Sequence, residues 1–132
     1  MSVAKPKILV LDDHESVLFS LRILHDHLFE FAGFLTANEA LTEFEKHHAA
    51  YEAALIDRNI PGELDGDAIA AKFHEIDPAV SRICISALSQ NESGARYHAT
   101  MPKPFGSADE MRELLATAIN QTARARAATR AT

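Results

Sequence analysis

A single cysteine, Cys84, excludes an internal disulfide framework in this chain of 132 residues. It sits inside the apolar run Ile83-Cys84-Ile85 and reads as a small buried hydrophobe. No apolar stretch approaches the ~18–20 residues needed to span a bilayer. The start, Met1-Ser2-Val3-Ala4-Lys5-Pro6, has no apolar signal region. The expectation is a cytoplasmic protein with no membrane contact. Positive charge is also scarce. Thirteen Lys and Arg against nineteen Asp and Glu give a formal net charge of -6. That argues against direct nucleic-acid contact, which needs clustered cations. What is present suits one domain with one sizeable core: hydrophobic residues make up 47%.

Short apolar runs alternate with helical patterns. Lys7–Leu11 is continuous, as in a strand covered on both faces. Val17, Leu21, Leu24 and Leu28 then recur at helical spacing, and Gly33 breaks the pattern. Phe34-Leu35 opens a weaker second strand. Asn38 can cap a helix carrying Ala40, Leu41 and Phe44. Ala53–Ile56 is a third strand, and Ile69, Phe73 and Ile76 mark a helix ended by Asp77-Pro78. Arg82–Ile85 is a fourth strand. A last helix starts at Ser107 with the capping box Ser107-Ala108-Asp109-Glu110. Met111, Leu114, Leu115, Ala118 and Ile119 form its apolar face. This order specifies a doubly wound α/β sheet with right-handed crossovers. The expected domain covers residues 1–121. Residues 122–132, only Ala, Thr and Arg, are expected to form a disordered tail or a truncated linker to a missing output domain.

Polar groups stand at the carboxyl ends of these runs, where open parallel sheets bind ligands. Asp12 and Asp13 follow Ile8-Leu9-Val10-Leu11. Asp57 ends Ala53-Ala54-Leu55-Ile56, Ser86 ends Ile83-Cys84-Ile85, and Lys103 follows Met101-Pro102. Each is a weak signal alone; their conjunction at successive strand ends is strong. Adjacent carboxylates are costly to bury as free anions, and a divalent cation such as Mg²⁺ resolves this with few protein ligands. Asp57 is a metal ligand or a nucleophile toward phosphorus. Lys103 and Ser86 offer a positive charge and a hydroxyl to phosphoryl oxygens. His14 and Arg58 either line the mouth of this site or are ordinary exposed side chains. His25, His27, His47 and His48 have metal-compatible spacings, but nothing converges on them, and solvated helix faces are expected.

Leu11-Asp12-Asp13, Asp57 with Pro61 and Gly66, Ser86-Ala87 and Lys103-Pro104-Phe105 resemble the receiver domain of two-component response regulators. The likeness spans about residues 5–121. It implies a doubly wound, five-stranded parallel sheet flanked by about five helices. It implies that Asp57 accepts a phosphoryl group from a sensor histidine kinase or a histidine phosphotransfer protein. Asp13 and Asp57 then bind Mg²⁺ directly, Asp12 through water, and Asn59 by its backbone carbonyl. Ser86 and Lys103 hold the phosphoryl oxygens, and the Lys103-Pro104 peptide is cis. Such a protein catalyses its own phosphorylation and dephosphorylation without being a conventional enzyme. It signals to a downstream protein or an attached output domain.

The chain departs from that pattern in four places. The loop Arg58–Gly66 is one residue longer than the family pattern. Ser86 replaces a more frequent threonine. Thr100 stands where the family has an aromatic that reports phosphorylation. The stretch between Ser86 and Lys103 is short by roughly one helical turn. A fourth helix in Leu88–His98, around Gly94, is therefore expected to be short, irregular or mobile. Two other classes remain in view. One is a non-phosphorylated pseudo-receiver that binds a partner. The other is an aspartyl phosphatase, which usually has a second acid two residues after the nucleophile, where this chain has Asn59.

Overall fold

The computed structural model describes residues 5–58, 60, 65–86, 99–102 and 108–131. Strands β1 (Lys7–Leu11), β2 (Glu30–Phe34), β3 (Ala53–Asp57), β4 (Ser81–Ser86) and β5 (Ala99–Pro102) form one sheet in the order β2-β1-β3-β4-β5. Every pairing is parallel. Helices α1 (Glu15–His25), α2 (Ala37–His47), α3 (Gly66–Ile76) and α4 (Ala108–Ala131) are the four α-helices among the described residues. The segment Leu88–His98, expected to hold a further helix, lies outside the described residues, as do the Lys103-Pro104 bond and the Ser107 cap.

Parallel strands bury both faces, so successive side chains serve two cores. Leu9, Leu11, Ala54 and Ile56 pack with Phe44 of α2 and Phe73 of α3. Those two rings stack at 4.1 Å between centroids. Ile8, Val10, Leu55, Ile83 and Ile85 pack on the opposite face with Leu21 of α1 and with Met111, Leu115 and Ala118 of α4. Among the described residues no helix is long and apolar enough to cross a membrane.

The structure corrects several local readings. β2 covers Glu30–Phe34 rather than Phe34-Leu35, and Gly33 lies inside it. A Cβ there would meet the end of the Leu18 side chain of α1, which would have to move aside. The cap of α2 is Thr36, not Asn38. Its hydroxyl oxygen accepts from the Glu39 N–H and its proton goes to the Glu39 carboxylate at 2.8 Å. Helix α4 passes through the boundary expected at residue 121 without a break and runs to Ala131. Residues Thr122–Ala131 are therefore helical, where a disordered tail or a truncated linker was expected. The cause is polar: Thr122 is fully buried and bonded to β4 and to the residue before β3.

His25 is not on a solvated face. It closes α1 inside the protein with 2% exposure, and its Nε2 makes no hydrogen bond. Burial, helped by nearby His27 and Arg112, holds its imidazole below the ordinary value. The folded state then binds fewer protons here than the unfolded chain. The resulting stability is present above the unfolded value of about 6.5 and is lost as pH falls through the folded one. Thermal melts from pH 7.5 to 5 should show a steeper acid loss for the parent than for His25→Phe. Parallel curves would refute the assignment. His47 and His48 lie at the end of α2; His47 pairs within the helix with Glu43 at 3.1 Å, and His48 reaches Asp77 at the end of α3 at 2.8 Å.

Candidate functional site

The register explains why distant acids meet. Leu11 pairs with Ile56, so the residue after β1, Asp12, stands beside Asp57 at the end of β3. The Asp12 N–H donates to Phe34 O at 3.1 Å and ties this corner to β2. On the other side Asp57 pairs with Ile85, and the Arg58 N–H donates to Ile85 O at 3.1 Å. Four strands thus hold the two carboxylates in place. Both side chains are buried, with 3% exposure at Asp12 and 4% at Asp57.

His14 completes the group. Its backbone N–H donates to Asp12 Oδ1 at 2.9 Å, a turn that folds the imidazole back over the acids. Nδ1 lies 3.2 Å from Asp12 Oδ1 and 3.2 Å from Asp13 Oδ1. One ligand atom each from Asp12, Asp13, His14 and Asp57 fall within 4.8 Å of one another. Three carboxylates this close repel strongly in a partly desolvated site. Asp13 Oδ1 is a buried atom that makes no hydrogen bond. A hard divalent cation fits this donor set, since Mg²⁺ takes carboxylate oxygens and fills its remaining positions with water.

The other expected site residues fare differently. Ser86 ends β4 in register with Pro102 of β5, at the same sheet edge as Asp57. Its side chain, and all of Asn59 and Lys103, lie outside the described residues. Arg58, a candidate for the site mouth, instead has its Nε 3.5 Å from Asp67 in the first turn of α3. His14 was an open choice in the sequence. Its adjacency to the acidic pair was the only signal, and the turn geometry decides it.

No protein-family model matches the chain, and no curated protein matches it either. Solved structures do. A CheY-like response regulator receiver domain from Methanospirillum hungatei is 20% identical, with a TM-score of 0.79 over 92% of this chain and 98% of that one. The receiver domain of DrrB, activated with BeF3, is 22% identical, with a TM-score of 0.74 over 89% of this chain and 99% of that one. NtrX from Brucella abortus, in complex with ADP, is 22% identical with a TM-score of 0.82; it matches 96% of this chain and 30% of that longer one. The fold is that of a response regulator receiver domain. In the receiver fold, strand order reverses direction between β1 and β3, and ligands of doubly wound sheets bind at such a switch point. Asp12, Asp13 and Asp57 flank that point in this chain.

The receiver fold also makes use of Gly66, the first residue of α3. Its N–H donates to Arg58 O at 3.2 Å. A Cβ there would collide with the Asp57 carbonyl oxygen and lie 2.6 Å from Arg58 Cα. Both are backbone atoms, so the clash cannot be relieved by a rotamer. Gly66→Ala should cost about 1–3 kcal/mol by overpacking and displace the Asp57 backbone. Chemical denaturation together with a Mg²⁺ titration checks this. Unchanged stability and unchanged metal affinity would refute the packing argument.

Proposed function

We propose that this chain is a phosphoryl-accepting receiver of a two-component system. The observation that carries the reading is the buried Asp57 carboxylate grouped with Asp12 and Asp13 at the switch point of a receiver fold. An Asp57 oxygen attacks the phosphorus of a phosphohistidine on a sensor kinase or phosphotransfer protein. The P–N bond breaks, and the electron pair leaves with the imidazole. Water later attacks the phosphorus of the acyl phosphate, the P–O bond to Asp57 breaks, and the carboxylate is restored as inorganic phosphate leaves. Asp12, Asp13, Asp57 and the Asn59 carbonyl would hold Mg²⁺, which when bound neutralises charge on the phosphoryl oxygens. Ser86 donates a hydrogen bond and Lys103 a positive charge to the same oxygens. The protein acts in the cytoplasm and signals through protein contacts, to a separate target or an attached output domain.

Incubation with acetyl phosphate and Mg²⁺, read by intact mass, tests this. One added phosphoryl group is expected, and none without metal. No addition with either acetyl phosphate or phosphoramidate would overturn the reading. Mg²⁺ alone should also stabilise the fold at neutral pH, by about 2.7 kcal/mol at a hundredfold excess over Kd. Asp13→Ala should remove most of that gain in thermal melts, and an undiminished gain would exclude Asp13 as a ligand.

A further inference from the structure

The imidazole of His14 has no helix-capping role, although His14 is the N-cap residue of α1: its side chain makes no cap bond. It points instead at the acids, with Nδ1 at 3.2 Å from an oxygen of each member of the Asp12-Asp13 pair. In an octahedral shell with bonds of about 2.1 Å, adjacent donors stand about 3 Å apart. Nδ1 therefore already stands from each acid oxygen at about the spacing of neighbouring ligands, and the whole group lies within 4.8 Å. Asp57 offers a fourth donor within the same group.

We propose that His14 Nδ1 is a direct ligand of the cation held by Asp12, Asp13 and Asp57, and that it shifts this site from Mg²⁺ toward Mn²⁺ and other divalent transition ions. The inference rests on the cation site proposed above and specifies its chemistry. Carboxylate and water suit Mg²⁺ and Mn²⁺ alike. Imidazole favours transition ions, whereas Mg²⁺ demands oxygen donors and gives up its water reluctantly. A nitrogen donor is thus a difference in affinity between two ions that share every other ligand. The imidazole is mostly exposed, with 65% of its side chain accessible, so it can turn between the two acids and an ion without disturbing the core.

The test uses the whole chain, with Mn²⁺ and Mg²⁺ as the probes. Electron spin-echo spectroscopy of the Mn²⁺-loaded protein should show ¹⁴N modulation from a coordinated imidazole. His14→Asn places an amide N–H near the Nδ1 position and keeps the hydrogen bond to Asp12, but removes the imidazole. It should abolish the modulation and lower the ratio of Mn²⁺ to Mg²⁺ affinity by at least about tenfold, as expected when a metal-site contact is lost. If Mn²⁺ binds without ¹⁴N modulation, or the ratio is unchanged in His14→Asn, the imidazole is not a ligand. The carboxylate site then stands, and His14 merely positions Asp12. If Mn²⁺ binding is absent, or is indifferent to Asp12→Ala and Asp57→Asn, the cation site itself fails and this inference fails with it.

Discussion

Asp57→Asn should abolish phosphoryl uptake from acetyl phosphate while leaving the fold intact. The amide is nearly isosteric with the carboxylate, so the tightly packed end of β3 has no cavity to absorb. Asp57 is 4% exposed and is framed by Asp12 just after β1 and by Ile85 on β4, and the variant keeps that register. What it lacks is an anionic oxygen able to attack phosphorus. It also removes one of three mutually repelling charges, so the metal-free variant should melt no lower than the parent. The gain on adding Mg²⁺ should shrink, because a ligand is gone. Intact mass and paired melts with and without Mg²⁺ measure all three. Labelling of Asp57→Asn to the same extent as the parent would place the acceptor elsewhere. A parent label stable to mild base would argue against an acyl phosphate.

Cutting α4 after Gln121 should destabilise the domain by several kcal/mol. The Thr122 hydroxyl accepts from the Ser81 N–H at 2.9 Å and lies 2.7 Å from Glu52 O, which takes its proton. The Ser81 hydroxyl in turn donates to Ala118 O at 2.7 Å. This closed network joins α4 to the start of β4 and the approach to β3. Four residues on, Arg126 donates to Tyr51 O at 2.7 Å and lies 3.3 Å from Glu52 and 3.8 Å from Asp77. Each buried group left without a partner costs about 1–3 kcal/mol. Thr122→Val isolates the first network. It should cost about 2–4 kcal/mol, since both the Ser81 N–H and the Glu52 carbonyl lose a partner. Against a typical domain stability of about 5–15 kcal/mol this is a large fraction. Thr122→Ser keeps the hydroxyl and should recover most of it. Urea denaturation decides: a truncated chain as stable as the parent would show that these bonds carry no net energy.

The alternation of apolar strands with helical stripes, and hence the α/β parallel class, was legible in the sequence because period and run length are local properties. So was the gathering of Asp12, Asp13 and Asp57. A polar residue at the end of a buried strand has one edge to occupy, and parallel strands bring those edges together. Tertiary structure alone decided the fate of polar residues within helices. Thr122 and Arg126 lie in a stretch of Ala, Thr and Arg with no apolar stripe, yet buried carbonyls and an N–H across the gap hold them. His25 ends a helical pattern that predicts a wet face, and it is buried because α1 closes over the sheet beside Phe29. His14 joins the acids through one backbone turn. Gly66 must lack a side chain because α3 starts against the Asp57 carbonyl. In each case the deciding neighbour is distant in the chain or depends on a turn angle, and residue type and spacing encode neither.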